Sequence, residues 1–243
     1  MLTKAQGKYI RSLSTTEGRR AAGAFVIEGP KLLTEWLQNA PQNIISIYAT
    51  AEWAGETQLV GTHFPEIYRL RASELASLSQ FKTPPVVLAV CRLPKSEPLS
   101  ATGWTLACET LQDPGNLGTI LRIADWYGVG QVVCSEGSAD FFNPKVVQAG
   151  MGAHLRIRTG VAALSDFLRK SPLPVFAATL SGKNLYETTA VKEGILLIGN
   201  ESKGLSEEVL LHASRQVSIP RRGGAESLNA AVATGILCDR LIG

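Results

Sequence analysis

The feature that most constrains this chain is the regular alternation of strand and helix patterns in its C-terminal half. Short apolar runs are followed repeatedly by segments with apolar residues at helical spacing. Such repeated units predict a mainly parallel sheet with helices on both faces. The predicted strands are 104–111, 131–134, 155–159, 175–180, 194–198 and 216–219, and the predicted helices are 117–127, 144–151, 164–171, 206–212 and the residues from 228 onward.

The N-terminal part has a weaker pattern that predicts a small α/β domain. Its helices are predicted at 30–39 and 72–79, and its strands at 44–50 and 86–91. A polar segment interrupted by Pro94 and Pro98 is too poor in apolar residues to form a core element. We therefore predict an N-terminal domain over 1–93, a linker over 94–103 and a C-terminal domain over 104–243.

Composition narrows the classes of protein to consider. The 243 residues are 45% hydrophobic and 19% charged, as in ordinary globular proteins. The sequence has neither a secretory leader nor an apolar run long enough for a membrane span, so we expect a soluble cytoplasmic protein. The four cysteines and three histidines lack metal-ligand spacing, which predicts buried reduced thiols and no metal site.

The charge distribution is more informative than the formal net charge of +3, which permits a polyanionic partner without requiring one. The first stretch of the chain is locally basic and has only Glu17 and Glu28 as acidic residues. Such an arm either binds a polyanion or is a solvated surface segment. Its basic residues are Lys4, Lys8, Arg11, Arg19, Arg20 and Lys31.

The first of three segments with chemical potential runs from Leu111 to Gly128. Pro114 and Gly115 end the strand, and Asn116 can cap the helix that follows. The apolar residues of this helix can face the sheet, which leaves Asn116 and Arg122 beyond the carboxyl end of a strand. Open α/β sheets bind their ligands at that edge.

The second and third segments also follow predicted strands. Residues 196–206 run from an apolar strand through Gly199 into Asn200 and Glu201, with Ser206 available as a helix N-cap. Residues 218–237 contain a basic glycine-rich loop, followed by a helix of mostly small residues that can pack closely against a neighbour or across a dimer axis.

These three segments, in this order, resemble the signature motifs of the SpoU (TrmH) family of RNA ribose methyltransferases. That family belongs to a superfamily whose C-terminal domain contains a deep trefoil knot. Residues 26–31 and 85–92 are similar to the small RNA-recognition domain that often precedes this core. The resemblance implies an enzyme that transfers a methyl group from S-adenosylmethionine to a ribose 2′-hydroxyl of ribosomal or transfer RNA, and that works as a homodimer.

The resemblance also implies roles for individual residues. Arg122 matches the residue that activates the target hydroxyl, and the other predicted catalytic residues are Asn116, Glu201, Ser227 and Asn229. Cofactor contacts are implied for Thr179, Leu180, Gly182, Gly199, Ile219 and Leu228. Phosphate contacts with RNA are predicted for Arg19, Arg20, Lys31, Arg221 and Arg222.

The sequence departs from the family pattern at Ser202, where the family commonly has glycine, and this change predicts a stiffer cofactor loop. Two chemical roles are open for Arg122. It either accepts the hydroxyl proton or, since guanidinium has a pKa above about 12, stabilises the forming alkoxide electrostatically.

Three other functions compete with this interpretation. A non-catalytic RNA-binding protein would not need the full set of polar residues in the three segments. A nucleotide-cofactor oxidoreductase is disfavoured because neither G-x-G-x-x-G nor G-x-x-x-x-G-K-[ST] occurs in the chain. A methyltransferase that acts on a base nitrogen stays open, and only the match of the third segment argues against it.

Overall fold

A computed structural model describes residues 2–56, 65–95, 97–99 and 102–242. His63, one of the three histidines that lack metal-ligand spacing, and Ser96, Ser100 and Ala101 of the predicted linker lie outside these residues. The chain divides into two compact units, of which the first comprises Met1–Lys95 and Phe142–Leu155 and the second comprises Ser96–Phe141 and Arg156–Gly243.

The first unit contains a mixed four-stranded sheet with the order β1-β4-β2-β3. β2 is parallel to β3 and antiparallel to β4, which is also antiparallel to β1. The elements along the first part of the chain are α1 (Lys4–Ser12), α2 (Thr16–Ala22), β1 (Ala24–Glu28), α3 (Pro30–Asn39), β2 (Ile44–Thr50), α4 (Ala51–Glu56), β3 (Glu66–Leu70), α5 (Ala72–Ala76) and β4 (Val87–Arg92).

The basic stretch at the start of the chain is structured. It forms α1, α2, β1 and the start of α3, with Thr3 and Thr15 capping the first two helices. Arg19 is 1% exposed, and its guanidinium donates to the carbonyl oxygens of Leu13 and Ser14, both at 3.0 Å. The prediction that Arg19 contacts RNA is therefore wrong, because its charge is occupied in holding the α1–α2 turn.

The second unit is built on a six-stranded sheet with the order β10-β8-β9-β5-β6-β7. All of its strand pairs are parallel. The elements along this part of the chain are β5 (Trp104–Cys108), α6 (Pro114–Trp126), β6 (Gln131–Cys134), α7 (Pro144–Gly150), β7 (Arg158–Val161), α8 (Leu164–Lys170), β8 (Val175–Asn184), β9 (Gly194–Ile198), α9 (Glu207–Leu210), β10 (Arg215–Ser218) and α10 (Ala230–Leu241). The predicted α/β class with a parallel sheet is confirmed.

α7 belongs to the first unit, although it lies among the elements of the second unit in sequence. It contacts β1, and Val147 is part of the same buried cluster as Ile27 and Ile47. Phe142, just before α7, places its ring 4.9 Å from the ring of Phe25. The chain therefore returns to the first sheet to complete its core.

Helices cover both faces of the parallel sheet. Apolar residues of α8 and α9 pack on one face against alternate strand residues that include Ala107, Val133 and Leu197. On the other face, Cys108 lies beside Cys134 and near Cys238 of α10, which packs against α6. The sheet therefore lies between two layers of helices.

The four cysteines are free and buried, as predicted. A hydrogen bond with Cys134 and desolvation raise the pKa of the Cys108 thiol well above its usual value. Burial raises the pKa of Cys238 to about 12. Thiolate, the reactive form of cysteine, is therefore scarce at neutral pH.

Several element boundaries differ from the predicted ones. β7 begins at Arg158 rather than at residue 155, because Ala153–Leu155 forms a 3₁₀ turn. α10 begins at Ala230, since the Asn229 side chain accepts hydrogen bonds from the next turn and acts as the N-cap. Of the predicted elements, the helix at 30–39 and the strands at 44–50, 131–134 and 194–198 have the predicted bounds.

Within the described part of the chain, no helix is long and apolar enough to cross a membrane. The same residues include no group of three His, Cys, Asp or Glu side chains that could hold a metal ion.

Candidate functional site

A cleft of about 990 Å³ opens at the carboxyl edge of the parallel sheet. Its walls come from three loops, which follow or interrupt β8, β9 and β10. Every residue around it belongs to the second unit. Nine of the predicted site residues line this cleft, namely Thr179, Leu180, Gly199, Glu201, Ile219, Arg221, Arg222, Ser227 and Leu228.

Two glycines allow the walls to pack closely. A Cβ atom at Gly199 would lie 2.4 Å from the carbonyl carbon of Gly204. At Gly182 it would lie 2.6 Å from the backbone nitrogen of Val217, at the point where the pairing of β8 with β10 shifts its register. Both loops therefore need a residue without a side chain at these positions.

Predicted polar residues from all three sequence segments form one hydrogen-bonded chain. The Asn116 amide donates to Glu201 Oε1 at 2.9 Å, and the Asn229 amide donates to Asn116 Oδ1 at 2.8 Å. Because the Glu201 carboxylate polarises the Asn116 amide, each bond strengthens the next. We call these three residues the Asn–Glu–Asn network.

Each asparagine of the network is fixed by its place at a helix start. The Asn116 backbone N–H donates to Oδ1 of Asp113, the N-cap of α6, at 2.8 Å. The Asn229 Oδ1 atom accepts from the backbone N–H groups of Ala231 and Val232 at 3.0 and 3.2 Å. Capping thus sets the side-chain direction of residues that lie far apart in the sequence.

The loop after β9 is held by Asn200. Its Oδ1 atom accepts from the backbone N–H groups of Ser202 and Lys203, and its backbone pairs with Gly204 in both directions. Among the described residues, the only non-glycine positions with positive φ are Thr110 and Met151. Ser202 therefore occupies the position where the family commonly has glycine without backbone strain.

Arg122 and Ser227 lie outside the network. Arg122 is exposed on α6, six residues beyond Asn116, which corresponds to roughly 9 Å along the helix axis. It does not line the cleft. Ser227 lines the cleft and is exposed. The structure thus brings three of the five predicted catalytic residues into direct contact.

The predicted RNA-contact residues differ in their surroundings. Arg222 lines the mouth of the cleft and is exposed, whereas neighbouring Arg221 donates to the Ala225 carbonyl at 3.3 Å and so closes its own loop. Arg20 and Lys31 are exposed on the first unit. Of the predicted set, Arg19 alone is buried.

Comparison with known proteins identifies the class of protein that has this fold and this arrangement of residues at the carboxyl edge of the sheet. Residues 103–239 match the model of the SpoU rRNA methylase family, and residues 4–89 match an MRM3-like substrate-binding domain. The chain belongs to the SpoU rRNA methylase family. The predicted family is confirmed, and with it the predicted enzyme class, an S-adenosylmethionine-dependent RNA 2′-O-methyltransferase.

Individual relatives match over almost the whole chain. The 23S rRNA (guanosine(2553)-2′-O)-methyltransferase RlmP of Bacillus subtilis is 32% identical, over 96% of this chain and 94% of its own length. A TrmH-family protein structure from Porphyromonas gingivalis is 38% identical with a TM-score of 0.88, over 99% of this chain and 98% of its own. An AdoMet-bound rRNA methyltransferase structure from Sinorhizobium meliloti is 28% identical with a TM-score of 0.83, over 99% and 95%.

Sequence reasoning missed one residue beside the site. Glu109 follows β5 directly, and its carboxylate accepts hydrogen bonds from the backbone N–H and the hydroxyl of Ser206 at 2.7 and 2.6 Å. An acidic residue immediately after a buried strand, at the ligand-binding edge of a parallel sheet, is a signal that could have singled it out.

Proposed function

We propose that this chain methylates a ribose 2′-hydroxyl of ribosomal RNA, with the cofactor in the cleft and the acceptor beside the Asn–Glu–Asn network. One observation supports the proposal above all others. Asn116, Glu201 and Asn229 come from three distant segments, yet they form one hydrogen-bonded chain at the loops that enclose the cleft.

The cleft has the size and chemistry that S-adenosylmethionine requires. Its volume of about 990 Å³ lies at the upper end of the 300–1,000 Å³ usual for small-molecule pockets. Leu180 and Leu228, 82% and 49% exposed, offer apolar surface for an adenine ring. When bound, the cofactor supplies an activated methyl group, so the protein has to bind, align and deprotonate.

The network orients polar groups at the reacting end of the cleft. Glu201 fixes the Asn116 amide, which in turn fixes the Asn229 amide, and Ser227 lies close to Asn229 in sequence on the cleft wall. Arg122 stabilises the alkoxide that forms as the ribose hydroxyl releases its proton to solvent, and the alkoxide oxygen then takes the methyl group. We favour this role over general base catalysis because guanidinium stays protonated in proteins.

Exposed cationic side chains and the first unit bind the RNA substrate. We assign this role to the predicted N-terminal domain, because 4–89 match a substrate-binding domain and the matched Bacillus relative acts on 23S rRNA. Arg20 and Lys31 on this unit, and Arg222 at the cleft mouth, are exposed and suited to phosphate contacts. We place the protein in the cytoplasm, since its four buried free cysteines suit a reducing compartment.

A homodimer and a trefoil knot complete the proposal. Trp126 on α6 is 85% exposed and Val232 on α10 is 53% exposed, which supports a second copy packing on these two helices. β8 pairs with β10 in two parts, first through Phe176 and Ala177 and then through Lys183 and Asn184. The β8 residues between these two parts, together with the close approach of Gly182 to the Val217 backbone, support a threaded backbone at this point. Light scattering tests the dimer, and a monomer at working concentration would count against it.

The decisive test is a methylation assay with labelled S-adenosylmethionine and separate pools of unmodified ribosomal and transfer RNA. We expect label in ribosomal RNA, and nucleoside analysis should locate it on a ribose oxygen. Label on a base would support the alternative acceptor, and label confined to transfer RNA would change the substrate. Label in neither pool would contradict the proposed activity.

A further inference from the structure

Glu109 ties the end of β5 to the far end of the β9–α9 loop. Its two carboxylate oxygens each accept one hydrogen bond from Ser206, from the hydroxyl at 2.6 Å and from the backbone N–H at 2.7 Å. Both bonds are short, as expected when the acceptor is ionised. The two residues are 97 positions apart in sequence, so the contact joins two separate loops.

A second contact joins the same two loops at the other end. The Asn200 amide donates to the Thr110 carbonyl oxygen at 2.8 Å. Thr110 has φ 50, a left-handed conformation that β-branched residues rarely adopt, and its N–H donates to Ser135 Oγ at 2.7 Å. Together Glu109, Thr110, Asn200 and Ser206 form what we call the β5 clamp.

The clamp lies on either side of Glu201 in the loop. Asn200 precedes Glu201 directly and Ser206 ends the same loop, so the position of the Glu201 carboxylate depends on both contacts. The Asn116 amide donates a hydrogen bond to this carboxylate at 2.9 Å. The residues between the two contacts also form one wall of the cleft.

We infer that Glu109 is a positioning residue for methyl transfer, which acts by holding the β9–α9 loop so that Glu201 reaches Asn116. This inference rests on the proposed function. Simple helix capping is an insufficient role for the contact, because Ser206 Oγ already caps α9 by accepting from the Val209 N–H at 3.3 Å. α9 has only four residues and contributes little helix stability of its own.

The test is a mutant cycle on Glu109 and Glu201 with kcat, KM for RNA and thermal midpoint as readouts. Glu109→Ala should lower kcat by about 10- to 100-fold, since a small misplacement of catalytic groups has effects of that size. KM for RNA should stay within about twofold, because no clamp residue belongs to the first unit, to which RNA binding is assigned. Asp166→Ala, which removes an exposed carboxylate paired with Arg169 on α8, is the matched control and should keep wild-type kinetics.

The cycle separates positioning from general stabilisation. If Glu109 acts through Glu201, Glu109→Ala should change kcat less than about threefold in a Glu201→Ala background. Equal losses in both backgrounds, or wild-type kcat in folded Glu109→Ala, would overturn the inference. If Glu109→Ala does not fold, Glu109→Gln replaces it in the same cycle with the same criteria. This substitution keeps the side-chain size and one acceptor oxygen. A wild-type protein that methylates no RNA would remove the proposed function and this inference together, whereas an active wild type with a failed cycle removes only the inference.

Discussion

The two units of the chain place charged side chains differently. Among the described residues, both buried charged side chains, Arg19 and Glu28, belong to the first unit, where they bind turns of the backbone. Buried polar side chains of the second unit are neutral, and its charged residues Glu109 and Glu201 act in loops at the end of the sheet. The difference follows from topology, because a parallel sheet brings every carboxyl end to one edge and a mixed sheet does not.

The largest expected effect is that of replacing Arg122, and it tests whether the carboxyl edge of the parallel sheet is catalytic. Arg122→Ala should lower kcat by about 1,000-fold, since removing one preorganised charge-stabilising group has an effect of that order. Because Arg122 does not line the cleft, the Kd for S-adenosylmethionine should change less than about threefold. Initial rates and calorimetric titration provide the two numbers. Arg169→Ala, an exposed arginine on α8, is the control, and turnover of Arg122→Ala within tenfold of wild type would refute the assignment.

A smaller effect is expected for a change in the cleft wall. Gly199→Ala places a methyl group 2.4 Å from the Gly204 backbone, so the loop has to move. Overpacking of this kind costs about 1–3 kcal/mol, which corresponds to about 5- to 150-fold in cofactor Kd.

Gly224→Ala is the matched control, since a Cβ atom there meets nothing within 4 Å and Gly224 does not line the cleft. Its cofactor Kd should stay within about twofold of wild type in the same titration. Equal affinities for the two alanine variants would show that the packing at Gly199 is unimportant for the site.

In the first unit, replacing an arginine should change the stability of the fold, whereas Arg122→Ala in the second unit should change the rate of methyl transfer. Arg19→Ala removes a buried guanidinium and leaves two carbonyl oxygens without their donor, so the free energy of unfolding should fall by about 2–4 kcal/mol. Urea denaturation measures this change. Arg20→Ala should leave unfolding unchanged, because that side chain is exposed, and should weaken RNA binding. The reverse pattern would overturn the contrast between the two arginines.

The smallest expected effect is a pH dependence at Glu28. Burial raises the pKa of its carboxyl, and this outweighs the lowering by hydrogen bonds from Ser79 and Gln80. A raised pKa in the folded state gives a stability contribution that is complete below the unfolded value and is lost as pH rises through the folded value.

Glu28→Gln removes this titration. The free energy of unfolding of wild type relative to Glu28→Gln should therefore decrease as the pH rises above 4.5, the ordinary pKa of a glutamate carboxyl, as measured by urea midpoints at several pH values. A difference that increases with pH would show that the ionised form is the one favoured by the fold.

Sequence reasoning succeeded where strand ends and glycine turns leave local signals. The parallel sheet, and the meeting of the three segments at its carboxyl edge, could be predicted because apolar strands precede each turn directly. Each partner of a hydrogen bond, however, comes from another loop, so the pairing of Glu109 with Ser206 and the separate position of Arg122 could not be assigned from one-dimensional spacing.

The first unit left weaker signals. α1 and α2 are rich in basic residues, and this pattern predicts an arm that either binds a polyanion or is solvated, without indicating two packed helices. The burial of Arg19 depends on carbonyl oxygens of the α1–α2 turn, and these have no sequence signature. The packing of α7 on the first sheet is tertiary, and its own residues do not specify which of two cores they join.

The central claim is that three loops at one edge of a parallel sheet form a single cofactor site. A crystal structure of the protein with S-adenosylmethionine tests it most directly. We predict the cofactor between Leu180, Gly199 and Leu228, with its methyl group directed toward the Asn–Glu–Asn network. A cofactor bound elsewhere, or a methyl group directed away from Asn116 and Asn229, would contradict the account.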